Sequence, residues 1–477
     1  WAKAVFDKFE AANPNIKIEL QPMPDGYDDR LLTSLAAGTP PDLFLVWDYP
    51  SLASLGGLAP LEKTGIDFSG INPSLVEWNS YQGHIYGVAK DWTTQVIWYN
   101  KKVFDRYKVA YPKPGWTWDE FRSTAQKLTH VDDKVWGAAL SFGDPYDWQN
   151  WFVMGGGDYL SADGKTMKGV FDSPETIAVM KFLTDMVLVD KVSPSRSLLS
   201  ASGGTYAMFT SGKLGMIHSG MWLLGYLSGK GLPADDYGAV IVPTPSGKKP
   251  VTMMNVSGWA MAAASKHKAE AIEVLKFLAL EGGQTQGEAG WAFPVSEKAI
   301  KATGLLNDPV TRVFYDSLAY ALKNPAFLRT PEYAEKCSQY LEEAFDQILL
   351  GKATAEKFAT VDQVNLVLVD INEEALKATA KACEDAGSKV VALVGDVTKC
   401  ETHERIFAET MKAFGKVDFL INYAGGAGKV APIEEMSDEI NRRIIDLNLT
   451  STIMSCRTFA PQFKRQGYGK IVNVSSV

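Results

Sequence analysis

From Val5 to Leu350 short apolar runs alternate with stretches of helical period. Val5, Phe6 and Phe9 share one face of an opening helix. Ile16 to Gln21 reads as a strand, Asp28 to Ala37 as a helix, and Asp42 to Trp47, after Pro40-Pro41, as a buried strand. Gln95 to Tyr99 reads as the next strand, and Thr117-Trp118-Asp119-Glu120 as the capping box that opens a helix. Strands are predicted over Val135 to Leu140, Leu214 to Ser219, Tyr237 to Val242 and Ser257 to Ala263, and helices over Pro174 to Val189 and Tyr206 to Ser211. From Lys268 through Glu332 to Leu350 the period is nearly all helical. This order predicts an α/β protein with two lobes joined by several crossings, hence a hinge and a cleft.

A different rhythm begins near Val364. Asn365 to Val369, Lys389 to Val394, Val417 to Asn422 and Lys470 to Val474 read as strands. Helices over Glu373 to Asp385, His403 to Phe414 and Asp438 to Cys456 separate them, giving a partial Rossmann-like parallel βαβ arrangement. The helix ending Thr360-Val361-Asp362-Gln363-Val364 enters the first strand with no Pro/Gly/Ser linker. The expected domains are 1–363, two discontinuous lobes, and 364–477.

Composition sharpens this division. At 477 residues the chain is too long for one core. All 13 Trp lie between Trp1 and Trp291, whereas Cys383, Cys400 and Cys456 follow residue 364 and only Cys337 precedes it. A single Cys suits an exported protein; three without metal-ligand spacing suit a reducing cytosol. The net charge of −8 gives no reason to expect nucleic acid or an anionic membrane as partner. The apolar stretch Met253 to Ala264 is too short and too polar for a membrane span. Because the chain opens at Trp1 inside a helix, a preceding piece is expected, and the lack of an export signal says nothing about compartment.

Several aromatics fall at strand ends and in loops beside polar groups: Trp47, Asp48 and Tyr49; Asp91 and Trp92; Trp148 and Trp151 around Gln149-Asn150; and Trp222. A pyranose packs its C–H face on an aromatic ring while its hydroxyls take planar donors and acceptors, so this combination points to a carbohydrate. Trp78, Trp98, Trp116, Trp118 and Trp136 read as packing residues. His84, His130, His218, His267 and His403 show no metal spacing, and Gly155-Gly156-Gly157 lacks the Lys-Ser/Thr of a phosphate loop.

Specific stretches follow a family order: Phe6-Asp7-Lys8-Phe9-Glu10-Ala11-Ala12-Asn13-Pro14, Leu35 to Asp42, Tyr86-Gly87-Val88, Trp98-Tyr99-Asn100-Lys101, Pro114 to Phe121, Phe209 to Lys213, Gly220-Met221-Trp222, Gly258-Trp259-Ala260 and Gly290 to Ser296. On these the segment resembles the extracellular solute-binding proteins of ABC sugar importers, the maltose-binding-like group. The resemblance implies the periplasmic-binding-protein fold and a sugar held between the lobes. It also implies a substrate site at Trp47, Asp48, Tyr49, Asp91, Trp92, Trp222, Gly258 and Trp259, with Trp291 and Phe293 as secondary candidates. It further implies an ABC permease as partner, a periplasmic or extracellular location that allows a lipid anchor, and no cofactor. The family's first strand is absent before Trp1, and Asp42 reads as a structural turn residue.

Val369-Asp370, Asp396-Val397, Asn422 with Ala424-Gly425, Asn448 and Ile471 to Ser476 resemble the short-chain dehydrogenase/reductase family. The resemblance implies NAD for an intact, cytoplasmic parent, with Asp370, Asp396 and Val397 near adenosine and Asn422, Ala424 and Gly425 against the cofactor. Asn448 and Ser476 are the catalytic counterparts it implies. An acid at Asp370 favours NAD over NADP by repelling a 2′-phosphate. Ala353 to Gln363 contains no Gly for a pyrophosphate turn, no Tyr-x-x-x-Lys follows, and Tyr423 stands where the family has a second Asn. The expectation is therefore a non-enzymatic sugar receptor, with an NAD-dependent oxidoreductase as the alternative. Two compartments in one chain further suggest a chimera or a misassembly.

Overall fold

The computed structural model describes residues 2–23, 27–140, 142, 144–279, 291–355, 364–385, 388–426 and 436–474. It divides into two compact units, Trp1–Val361 and Asp362–Val477.

In the first unit the strands are β1 (Leu43–Val46), β2 (Gly87–Asn100), β3 (Trp136–Ala139), β4 (Leu214–Gly220), β5 (Tyr237–Val240), β6 (Met254–Met261) and β7 (Phe293–Pro294). They form a seven-stranded sheet of order β1-β6-β2-β4-β3, with β5 and β7 also paired to β2. The long strand β2 organises it. Its first half pairs antiparallel with β6 and β7, its second half with β4 and β5. One continuous, almost wholly buried strand thus serves both halves of the sheet, and side chains near its middle lie where the halves meet. Almost every position of β2 is buried, but its first half carries the polar Lys90, Asp91, Thr93 and Thr94, which hide the strand from an apolar pattern. That explains why only Gln95 to Tyr99 stands out in the sequence.

The helices start where their capping residues place them. Thr117 Oγ1 accepts the Glu120 amide at 3.2 Å while Glu120 Oε2 accepts the Thr117 amide at 2.7 Å, and the helix Trp118–Leu128 follows. Ser173 caps Pro174–Leu188 through the Thr176 amide. Ile16 to Gln21 is not a strand. No neighbouring strand pairs with it among the described residues; the Ile18 amide instead donates to Glu10 Oε1 at 2.7 Å. Asp42 holds a turn, accepting from Ser265 Oγ at 2.6 Å.

The second unit contains β8 (Leu366–Asp370), β9 (Val390–Val394), β10 (Phe419–Asn422) and β11 (Lys470–Asn473). β8 pairs parallel with β9, and β10 with β11, as two separate two-stranded sheets. Helices Glu373–Asp385 and Cys400–Phe414 follow the first two strands. The helix expected over Asp438 to Cys456 is interrupted by a wider turn at Asp446–Thr450 and then continues as Ser451–Gln466, carrying Pro461 within it.

Candidate functional site

A cavity of about 670 Å³ opens beside the middle of β2, within the size range of small-molecule sites. Four indoles line it: the buried Trp78, and three that reach it from three different elements. Trp47 follows β1 and is 43% exposed, its ring 5.2 Å from Tyr27. Trp222 opens the helix Trp222–Gly229 and donates from Nε1 to Tyr206 Oη at 2.6 Å, which fixes its plane. A Cβ on Gly220 would lie 2.1 Å from that ring, so only glycine lets the indole fold back over the end of β4. Trp291, 47% exposed, lies over Gly225, whose Cβ would come within 2.7 Å of the ring.

Polar groups converge on the same space. Asp48 caps the helix Tyr49–Ser54, its Oδ2 accepting from Ser51 Oγ at 2.6 Å, and desolvation raises its carboxyl above the usual range against those bonds. Lys90 and Asp91 both line the cavity although they are adjacent on a strand. A β-bulge makes this possible: Ala89 faces Gly258 and Asp91 faces Ser257, leaving Lys90 as the extra residue. Lys90 Nζ lies 2.9 Å from Asp91 Oδ2, with both side chains under a tenth exposed, and Ser257 Oγ donates to Asp91 Oδ1 at 2.6 Å.

Of the residues expected at the site, the structure brings Trp47, Asp48, Asp91, Trp222 and Trp291 to one cavity wall. Trp92, Tyr49, Gly258, Trp259 and Phe293 are not on it. Trp92 comes after the bulge and turns into the core, where it packs on Phe293 at 4.8 Å and donates to Pro294 O at 3.1 Å. Tyr49 is fully buried, facing Gly87 and Gly258, where a Cβ would meet its hydroxyl at 2.1 and 2.4 Å. Gly258 is thus a close-packing glycine, and Trp259 is buried edge-on against Phe6 at 5.6 Å. Trp148 and Trp151 are also core residues. The wall adds residues that sequence reading did not single out, among them Lys90, Asp144, Tyr146, Asn255 and Tyr333. Two of these carried a signal: Lys90 is a charge inside an apolar strand, and Asp144 precedes Pro145 as a helix cap.

In the second unit the candidates sit at the carboxyl ends of parallel strands, where α/β proteins place ligands. Asp370 ends β8 and accepts the Asn372 amide at 2.8 Å. Asp396 accepts from Thr398 N at 2.9 Å and Oγ1 at 2.7 Å, bonds that hold its carboxyl below the usual range, while Val397 O accepts from His403 Nε2 at 2.7 Å. Asn422 ends β10 and donates to Asn473 at 2.8 Å. Beyond it, exposed Ala424 leads into a turn that Asn448 pins: Asn448 accepts from the Gly426 amide and donates to Gly426 O, both at 3.0 Å. A Cβ on Gly425 would fall 2.7 Å from Asn448 Oδ1, so the tether requires glycine there. Ser476 lies outside the described residues.

Comparison with known proteins gives two families along one chain. Residues 350–477 match the short chain dehydrogenase family model. Over 129 residues the chain is 36% identical to a diacetyl reductase [(S)-acetoin forming] of Staphylococcus epidermidis, covering 27% of this chain and 49% of that protein. A 3beta-hydroxysteroid dehydrogenase of Mediterraneibacter gnavus is 36% identical over 128 residues, covering 27% and 46%. The chain spans about half the length of these curated relatives. The expectation of a non-enzymatic chain, left uncertain for its C-terminal part, is corrected by this match of residues 350–477 to a family of dehydrogenases.

Among solved structures, an ABC substrate-binding protein of Listeria monocytogenes in complex with cycloalternan superposes with a TM-score of 0.67 at 25% identity, covering 75% of this chain and 92% of that one. The maltose-bound MalE3 of T. maritima gives 0.64 at 20% identity, covering 75% and 93%, and shares the fold. Among the described residues no helix is long and apolar enough to cross a membrane. Residues 1–285 match the model for bacterial extracellular solute-binding proteins, and the chain belongs to that family.

Proposed function

We propose that the first unit is the carbohydrate receptor of an ABC importer, working in the periplasm or at the cell exterior, tethered there by a lipid where one is present. The observation that carries this reading is three indoles, Trp47, Trp222 and Trp291, facing one cavity together with Asp48 and Asp91. Flat indole faces take the C–H faces of pyranose rings, and the fixed carboxylates accept their hydroxyls. Asp91 is held for this task by Lys90 and Ser257, so its free geometry costs little to order on binding. A ligand touching both halves of the sheet favours the closed form by its differential affinity, and the closed form is what a permease would recognise. Isothermal titration with a panel of mono- and oligosaccharides, read alongside Trp emission, tests it. We expect heat and an emission change with at least one sugar, and Trp222→Ala to weaken binding roughly tenfold. No heat with any sugar sinks the reading.

A second reading concerns residues 350–477, for which the relatives favour oxidoreductase chemistry on a carbonyl compound with a nicotinamide cofactor, in a segment whose parent worked in the cytoplasm. The residues present fit the adenosine side of such a cofactor: Asp370 would take the ribose hydroxyls, which favours NAD, and the turn at Gly425 is packed against Asn448 at the end of β10. When bound, that cofactor supplies the hydride. Asn448 holds the turn in shape. Titration of NADH, followed by its own emission, is expected to saturate for the wild type and to weaken with Asp370→Ala; an emission curve indistinguishable from buffer overturns this reading.

A further inference from the structure

We infer that the sugar taken by the first unit carries a cationic amine, seated beside Asp144 and Asp147 in a side chamber of the main cavity. This rests on reading that cavity as a carbohydrate site.

Charge is the first observation. The main wall carries Asp48 and Asp144 beside the Lys90–Asp91 ion pair, and no other lysine or arginine lines it among the described residues. Neutral hydroxyls use carboxylates as acceptors but bring them no positive charge. A second cavity of about 330 Å³ shares Asp144 with the first and is lined further by Asp147, Trp148, Tyr206 and His218, with no Lys or Arg among its described lining residues. Gln95 ties the two linings together, its Nε2 donating to Asp147 Oδ1 at 2.5 Å and to Asn255 Oδ1, on the main wall, at 3.0 Å.

The geometry leaves acceptors for a ligand. Asp144 Oδ1 accepts the Tyr146 amide at 3.0 Å, and no hydrogen bond among the described residues reaches Oδ2 of either aspartate. Tyr333, 5% exposed on the main wall, has a hydroxyl without a partner among them. No cationic side chain among the described lining residues competes with an ammonium. The surrounding protein pushes His218 down to about 3, so its ring is neutral and does not repel a cation. Desolvation and then the charge of Asp144 raise Asp147 to about 7, the response of a carboxylate lacking a counter-charge. A metal ion is disfavoured as that counter-charge, because no group of three or more His, Cys, Asp or Glu side chains among the described residues could hold one. An ammonium donates in three directions and suits two carboxylates and a hydroxyl.

The test is isothermal titration of the full chain with matched pairs: glucosamine against N-acetylglucosamine, and the deacetylated chitobiose disaccharide against its N,N′-diacetyl form, with glucose and maltose as neutral references. The free-amine member is expected to bind roughly 10- to 100-fold tighter than its acetylated partner, the worth of a hydrogen bond to a charged group. Asp147→Asn is expected to shrink that ratio, with far-UV circular dichroism checking the fold. Neutral or acetylated sugars binding as tightly as the amines overturns this inference and leaves the carbohydrate reading standing. Absence of heat with every sugar in the panel overturns both. Should Asp147→Asn not fold, the wild-type pairs decide alone.

Discussion

Asp147 shows how a single carboxyl ties the site to stability. Its carboxyl is raised from 3.8 to about 7, desolvation acting first and the charge of Asp144 second. A raised acid pKa means the folded state holds the proton more tightly than the unfolded chain does. The group therefore favours folding below the unfolded value and opposes it progressively as pH climbs from about 4 to about 7. Asp147→Asn keeps an oxygen for Gln95 and removes the titration. Its melting temperature relative to wild type is expected to be higher at pH 7 than at pH 5, by roughly 1–2 kcal/mol of stability, read by thermal denaturation at both values. An equal difference at the two values contradicts the assignment. Nothing in the sequence around Asp147 beyond its neighbour Asp144 distinguishes it from other acidic loop residues, because burial and the bond from Gln95, far off in the chain, complete its environment. Trp47 and Trp222, by contrast, are aromatics near polar groups at strand ends, but the same signal marks Trp92, which packs in the core.

Elements were legible where local chemistry decides them and obscure where pairing does. The capping box at Thr117 is written in four residues, and the helix begins there. Strand β2 depends on β4, β5, β6 and β7, none of which lies next to it in sequence, and its bulge at Lys90 depends on its register against β6. That register puts Lys90 and Asp91 together on the wall; a plain alternating pattern sends them to opposite faces and gives no warning of it. The bulge also makes a buried ion pair a property of the strand. Lys90→Met leaves Asp91 buried without its partner and is expected to cost roughly 3–5 kcal/mol. Adding Asp91→Leu to Lys90→Met is expected to recover much of that stability while abolishing sugar binding. Denaturant titration of the four-member cycle checks this; a double variant no more stable than Lys90→Met counts against the pair as the cause.

At the scale of the molecule the two units differ in how well each covers its apolar surface. The first unit buries Trp98, Trp151, Phe104, Phe121 and Phe152 almost completely. In the second, Leu376, Ala380, Val417 and Phe459 are the buried apolar side chains among the described residues, while Phe419 is 51%, Ile421 62% and Val472 45% exposed, all three on strands. Two-stranded parallel sheets with open edges and apolar faces in water gain little from folding. The second unit is accordingly expected to unfold first on heating. The uneven spread of tryptophan makes this measurable, because all 13 lie at or before Trp291 and intrinsic emission reports the first unit alone. Ellipticity at 222 nm sees helices of both units, including Glu373–Asp385, Cys400–Phe414 and Ser451–Gln466. The expected record is an early loss of ellipticity with no change in emission, then a later transition in both. A sugar that binds the first unit should raise only the later one, since a ligand stabilises the form that binds it. One coincident transition in both signals, shifted as a whole by sugar, means instead that the units fold as a single cooperative body.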